Sequence, residues 1–515
     1  MSSRTSNSLK NIASNLGLKL LMVGLQFATR TLFIHNLGTL YNGINSLVSS
    51  TLSFLNIAEL GIGSAIVFAM YKPVADDDKE KVKQYLAYYK KIYHTLGFIV
   101  LAIGLVMMPF LPYMMKDLQG TASIRDVYII YALYLFQSFT SFFWYADRRG
   151  FLTARQEDYK VTAINYLSSV SSLILQGVVL AVVKGFTGFF IYVAIPIVIE
   201  VARNLTKGFS IAKSYPYIKE KPKGKLNKEE IKELYKNTLG LSIAKLSTII
   251  NNAIDSILIS ALIGVEILGK YHNYHTLILM VTGFVEIIFV SLRPSIGNLH
   301  AKASAGAKKN VFNYINFAAF WLYGFCAICY FVVVQPFVAI WIGETNIMPT
   351  IIALVIAANF LTSGMTAAVN SFREGCGLYY QGRYRPIFTM IFNVIFSIIF
   401  GYFWGIPGII LATIISRFIT IWWFDAYIVF KHVFYEKPYR YLIDYVLKLV
   451  LIFAVGALTA FVCSLHSFTG VMAVIINLAI SFVLVNGCFL LLFFKTDEFA
   501  QIKGILRKIL SGLKK

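Results

Sequence analysis

The stretch RRGFLTARQEDYK, residues 148–160, returns 225 residues later as REGCGLYYQGRYR, residues 373–385. Both fit R-x-G-x5-Q-x2-Y-[K/R]: Arg148, Gly150, Gln156 and Tyr159 align with Arg373, Gly375, Gln381 and Tyr384, and Lys160 aligns with Arg385. Other places repeat at nearly the same shift. Gly38 and Gly43 return as Gly264 and Gly269 after 226 residues, and Glu59 returns as Glu286 after 227. A near-constant shift at three separate places marks an internal duplication.

Hydropathy shows what is duplicated. Of the 515 residues, 57% are hydrophobic and 14% charged, whereas soluble domains carry about 25% charged residues. A helix needs about 20 mostly apolar residues to cross a hydrocarbon core of about 30 Å. The apolar runs predict such helices near 12–36, 42–70, 92–115, 127–146, 161–183, 187–209, 238–263, 271–295, 312–340, 348–371, 386–404, 408–430, 444–465 and 470–494. The expected fold is all-α, a polytopic membrane protein of about 14 transmembrane helices. Six crossings return the chain to its starting side, so two six-helix repeats run parallel. The expected organisation is an N-terminal lobe at 1–210, a basic cytoplasmic linker at 211–236, a second lobe at 237–433, two additional helices within 434–495, and a basic amphipathic tail at 496–515.

The net charge of +22 would suggest nucleic acid if the cations formed one folded basic face. Their placement argues against a nucleic-acid partner. With the N-terminus inside, 35 of the 47 Lys and Arg fall in inner segments and four, Lys116, Arg125, Lys184 and Lys270, in outer loops. That bias is the positive-inside pattern and predicts both termini in the cytoplasm. Residues 1–15 lead into the first crossing with no small-residue cleavage site evident, so this segment is not read as a removable signal. In the tail, Phe499, Ile502, Leu506, Ile509 and Leu513 share one helical face. That pattern reads as an interfacial helix on anionic membrane lipid, or as a solvated positive-inside tail.

A charge at mid-bilayer costs about 2.5–3.5 kcal/mol even on the lenient insertion scale, so polar residues there turn toward a cavity or a partner. In the first helix Asn15, Lys19, Gln26 and Arg30 share a face; in the second, Asn42, Asn45, Ser49, Asn56, Glu59 and Gly63 do. The seventh helix offers Thr248, Asn251, Asn252 and Asp255, and the eighth His275, Thr282, Glu286 and Arg293. These are the first two helices of each repeat, as a shared central cavity would require. Interhelical hydrogen bonds in a dry core are the competing explanation. Pro196 and Pro294 sit within or near the ends of helices, where they permit bending or hold a fixed kink. His272 and His275 are spaced like metal ligands but lack a third, and Cys326 and Cys329 lie in an apolar helix where packing accounts for them. No metal or cofactor is expected. There is no phosphate-binding loop, no Ser-His-Asp order and no persuasive paired-carboxylate motif, so the chain does not read as an enzyme. A membrane glycan polymerase or ligase would need a large external loop, and no predicted outer loop exceeds about a dozen residues.

The stretches TRTLFIHNLGTLYNGINSL from Thr29 and IAELGIGSAIVFAMYKP from Ile57 resemble the N-terminal pattern of Wzx-like polysaccharide flippases. These form a branch of the multidrug, oligosaccharidyl-lipid and polysaccharide (MOP) exporter superfamily. The repeated motif and the short turns at Gly185/Gly188 and Gly405/Gly408 are similar to that superfamily too, so the resemblance spans the chain, with Thr29 to Pro73 its most specific part. It implies two six-helix lobes, alternating access, and a substrate of a few sugars on undecaprenyl pyrophosphate, handled in a bacterial plasma membrane beside the glycosyltransferases and polymerase of the same pathway. Pyrophosphate in a low-dielectric site needs cationic partners. Arg30 matches a basic position in the first helix of related lipid flippases, whereas cation-exporting relatives tend to use acids there. The expected substrate-binding set is Arg30, Lys19, Gln26, Asn45, Asn56, Asn252, His275 and Arg293. Asp255, Glu59 and Glu286 are candidates for coupling to a proton or sodium gradient, or for balancing Arg30 and Arg293. A MATE-like exporter of amphipathic molecules and a peptidoglycan-precursor flippase are the alternatives; the latter family carries more arginines around its cavity than this chain does.

Overall fold

The computed structural model describes residues 2–53, 62–118, 122–143, 146–155, 157–378 and 380–513. There is no strand among them, and nine helices among the described residues are long and apolar enough to cross a membrane. The chain is a polytopic all-α membrane protein. It forms two compact units, Met1–Gly269 and Lys270–Lys515.

The first unit contains α1 (Ser2–Ser53), α2 (Ile62–Ala75), α3 (Lys79–Met107), α4 (Ile124–Ser141), α5 (Ala146–Ala154), α6 (Asp158–Val182), α7 (Gly185–Ser214), α8 (Lys228–Leu258) and the beginning of α9 (Val265–Lys302). The second contains the rest of α9, then α10 (Ala305–Ile342), α11 (Thr350–Gly364), α12 (Ala367–Gly375), α13 (Arg385–Arg417), α14 (Trp423–Val429), α15 (Tyr439–Ser464), α16 (Gly470–Phe493) and α17 (Asp497–Leu513).

The helices are patterned inside out. On α16 the buried face is Ala473, Asn477, Ser481, Val485 and Phe489, while Ile475, Leu478, Phe482 and Leu491 are exposed. Small and polar residues face the neighbouring helix because lipid tails supply no hydrophobic drive between helices; close backbone approach and hydrogen bonds must do so. Asn477 Nδ2 accordingly donates to the Val332 carbonyl of α10 at 3.0 Å. On α13 the same spacing buries Thr389, Asn393, Ser397 and Gly401. Asn393 Nδ2 there donates to Thr413 Oγ1 at 2.8 Å. On α6, Ile174, Leu175, Val178 and Val182 point outward, while the other face accepts hydrogen bonds from α1, Thr29 to the Leu173 carbonyl and Asn36 to the Leu180 carbonyl.

Two long helical stretches are each a pair of helices joined at a glycine, Gly38 in α1 (φ 84°) and Gly405 in α13 (φ 63°). Only glycine takes such angles without strain. Both joints fall where hydropathy predicts a break between crossings. Gly43 and Gly269, a pair related by the repeat, touch each other: a Cβ on Gly43 would lie 1.8 Å from the Val265 carbonyl oxygen, and one on Gly269 would lie 2.0 Å from that of Thr39. Asn42 Nδ2 seals the crossing by donating to the Gly269 carbonyl at 2.8 Å.

Several helices run past their predicted ends. Sequence hydropathy starts the third and seventh crossings at 92 and 238, but α3 begins at Lys79, with Asp78 accepting the Lys81 N–H, and α8 begins at Lys228, behind a reciprocal cap between Asn227 and Glu230. Capped polar turns continue a helix beyond the hydrocarbon, where apolar content no longer reports it. The connection from α7 to α8 is therefore only residues 215–227, and it is docked on α3. Lys83 Nζ pairs with Glu80 at 2.8 Å and Glu220 at 3.1 Å, Lys81 pairs with Glu230 at 2.6 Å, and the Lys223 N–H donates to Glu80. Burial alone would raise the Glu230 carboxyl, but hydrogen bonds from Lys81 and the Asn227 N–H outweigh it and hold the group below its ordinary value.

Candidate functional site

The polar residues singled out from sequence fall on three described helices. In the first unit α1 packs against α8, and α2 also packs against α8. Arg30 is half-buried on α1. One residue earlier Thr29 is bonded to α6, and one turn later Phe33 meets Phe189 and Tyr192 of α7 at ring separations of 5.7 and 4.8 Å. Arg30 lies within electrostatic range of Tyr192. Asp255 is half-buried on α8, and Gln26 is exposed one turn before Arg30. Asn45 accepts from Tyr134 of α4 at 2.5 Å. Lys19 and Asn252 lie on α1 and α8 with side chains outside the described set, and Asn56 and Glu59 are outside the described residues.

The stripe on α9 divides. His275 is half-buried and stacks on Tyr271, with ring centroids 5.6 Å apart. The neighbouring Tyr274 ties α9 to α10 and to the chain beyond it, since its hydroxyl donates to Gln335 Oε1 at 2.8 Å and accepts from the Met348 N–H at 3.1 Å. Glu286 is exposed. Arg293 is paired with Glu374 of α12 at 2.6 Å. The helix continues unbroken through Pro294, as α7 does through Pro196.

The repeated motif builds a buried ionic chain in the second unit that sequence spacing did not reveal. Glu374 bridges Arg293 to Arg373, which lies 3.6 Å from Asp425 of α14, and Arg385 at the start of α13 pairs with that same carboxylate. Five charges of alternating sign thus join α9, α12, α13 and α14. Asp425 is 2% exposed. A carboxylate so far from water persists only with cationic and hydrogen-bonding partners. Gly375 lets α12 approach α9, for a Cβ there would lie 2.9 Å from the Arg293 carbonyl oxygen.

The first unit uses the motif similarly. A Cβ on Gly150 would lie 2.5 Å from the Tyr89 ring, and Arg148 donates to the Gly208 carbonyl of α7. In both copies, then, the motif arginine ties the short helix after the fourth crossing to the last helix of its repeat, α7 or α14. A signal for Asp425 existed in the sequence, since Glu200 precedes it by 225 residues. Glu200 bonds instead to Arg203 and Gln137, each at 3.1 Å. Gln156 is outside the described residues.

Known proteins match this architecture. The lipid II flippase MurJ in an inward closed conformation is 14% identical, with a TM-score of 0.63 over 92% of this chain and 98% of that one. An inward-facing multidrug resistance MATE family transporter of the MOP superfamily is 14% identical, with a TM-score of 0.61 over 79% of this chain and 94% of its own. An outward-facing multidrug resistance MATE family transporter of the MOP superfamily has a TM-score of 0.50 at 15% identity, over 78% of this chain and 90% of its own. At such identities the likeness speaks for the fold, which is that of MOP superfamily transporters. No curated protein sequence matches the chain. The family model described as polysaccharide biosynthesis protein matches residues 8–300, more than half of the sequence, and the chain belongs to that family.

Proposed function

We propose that this chain flips undecaprenyl-pyrophosphate-linked oligosaccharide repeat units across a bacterial plasma membrane by alternating access, for capsule, exopolysaccharide or cell-wall polysaccharide assembly. The observation that carries the reading is Arg30, a guanidinium half-buried on α1 within electrostatic range of Tyr192 of α7, in a chain of the polysaccharide biosynthesis family. A pyrophosphate ester carries negative charge into a low-dielectric path, and a planar guanidinium answers it with paired, charge-assisted hydrogen bonds. Asp255, on the helix packed against α1, is the proposed coupling carboxylate. It exchanges partners with the arriving pyrophosphate and takes up a proton or sodium ion, a role shared with Glu59 and Glu286. The glycan passes with the head group while the prenyl tail stays in lipid, and both termini face the cytoplasm. The glycosyltransferases that build the repeat unit, and the polymerase that consumes it, are the proposed partners.

The test is a flipping assay in liposomes with defined lipid-linked oligosaccharide. Arg30→Ala, present at normal levels, is expected to abolish flipping, and Arg30→Lys to retain part of it, because lysine offers charge without the fork. Wild-type flipping by Arg30→Ala overturns the assignment. Two alternatives have their own outcomes. A deletion strain with normal surface glycan and increased sensitivity to amphipathic toxins favours the exporter reading. Flipping of the peptidoglycan precursor in preference to other lipid-linked glycans favours the precursor-flippase reading.

A further inference from the structure

The second unit holds an apolar cavity of about 750 Å³ between α9, α10 and α17, a volume within the roughly 300–1,000 Å³ of small-molecule sites. Leu292 and Leu299 line it from α9, Val311 and Ala318 from α10, Phe499 and Ile502 from α17. The C-terminal helix is held over the cavity by Phe499, which stacks on Trp321 of α10 at 5.9 Å between ring centroids. Lining residues run from Ile288 to Leu299 along α9. At 1.5 Å per residue that is about 16 Å, close to one leaflet of a hydrocarbon core of about 30 Å.

Lysines flank this groove, two of them at the turn between α9 and α10. Lys302 is exposed one turn beyond Leu299, Lys308 sits one turn before Val311, and Lys503 is exposed beside Ile502. Lys308 is only 7% exposed, yet no carboxylate pairs with it among the described residues. Its neighbour Lys309, by contrast, is paired with Glu436. A groove about 16 Å long, apolar along its length and flanked by lysines, matches an amphiphile with acyl chains and a phosphate head.

We propose that this groove binds an anionic phospholipid of the surrounding bilayer, its acyl chain between α9, α10 and α17 and its phosphate at Lys302, Lys308 and Lys503. The site is separate from Arg30 and does not depend on the flippase reading.

The test uses the full chain in phosphatidylcholine nanodiscs containing a trace of photoactivatable acyl probe, either phosphatidylglycerol or phosphatidylcholine with the same chain, and maps crosslinks by mass spectrometry. Labelling by the phosphatidylglycerol probe is expected within 288–299, 311–322 or 499–502. Each lysine should favour the anionic probe about fivefold, so Lys302→Gln/Lys308→Gln/Lys503→Gln should bring its labelling down to that of the choline probe. Ala318→Trp, which fills the groove, should remove both signals; if that variant does not fold, the lysine variant and the wild-type map decide. Arg30→Ala should label as wild type. Equal labelling by the two probes in the wild type overturns the proposal, as does label spread over outward faces such as that of α6. Displacement of the probe by undecaprenyl phosphate but not by unlabelled phosphatidylglycerol also overturns it, assigning the groove to a prenyl tail.

Discussion

Replacing Asp425 by alanine would leave the Arg373 and Arg385 guanidiniums, whose side chains are 10% and 12% exposed, facing a site without its carboxylate. Removing one member of a buried ion pair costs about 3–5 kcal/mol, mostly because the remaining charge is stranded away from water. For a unit of this size about 1 kcal/mol moves the unfolding midpoint by roughly 2–4 °C, so Asp425→Ala should lower it by about 6–20 °C. The midpoint can be read in detergent by heating, clearing aggregates and measuring the remaining monodisperse protein by size exclusion. Arg385→Met/Asp425→Leu removes both charges while keeping apolar volume, and should recover much of the loss, since Arg373 retains Glu374 at 3.2 Å. The double-mutant cycle isolates the coupling. An unchanged midpoint in Asp425→Ala would show that the ionic chain does not hold these helices together, and a double variant that melts as low as the single would refute stranded charge as the cause of the loss.

Gly43→Ala should cost about 1–3 kcal/mol or more through overpacking, because its new methyl group meets the Val265 carbonyl at 1.8 Å. Gly24→Ala, with open space around it, should be neutral or gain about 1 kcal/mol of helix propensity; thermal melts of the two compare them directly. Tags at Lys225 and Lys515 should both report the cytoplasm, and a cysteine at the exposed Thr469 should be labelled from outside. Opposite sides for Lys225 and Lys515 would refute the even count of crossings. Because the Glu230 carboxyl is held below its ordinary value, its stabilising contribution is present above about pH 4.3, the unfolded value, and is lost as pH falls through the lower folded value. The protection of residues 215–227 against hydrogen exchange, relative to the intrinsic rate at each pH, should therefore fall below about pH 4, and Lys81→Met should weaken this dependence.

Much of the architecture was legible because lipid imposes a simple rule on composition. Long apolar runs became helices, and Gly38 and Gly405 marked their joints. The ends of α3 and α8 were not legible, since a helix capped by Asp78 or Asn227 continues through charged residues that hydropathy counts as loop. Polar stripes proved harder to read than apolar ones. Thr389, Asn393 and Ser397 on α13 are spaced like a wet face, yet they hydrogen-bond or pack against the following helix. Asn42 likewise serves a helix crossing. Spacing along one helix shows which residues share a face but not what stands opposite, so Arg293 could be placed on its stripe while Glu374 could not. The R-x-G motif was visible as a repetition, but its partners, the Gly208 carbonyl and Asp425, lie about 50–60 residues further along the chain.

The docked connection between α7 and α8 makes the start of α8 a lever coupled to α3. With Lys81 and Lys83 clasping Glu230 and Glu220, any swing of that first turn must carry the head of α3 with it or release the clasp. These contacts sit near solvent, where ions screen attraction within about 8 Å at physiological salt. The clasp thus behaves as a clutch whose grip loosens as ionic strength rises, letting the connection at residues 215–227 part from α3.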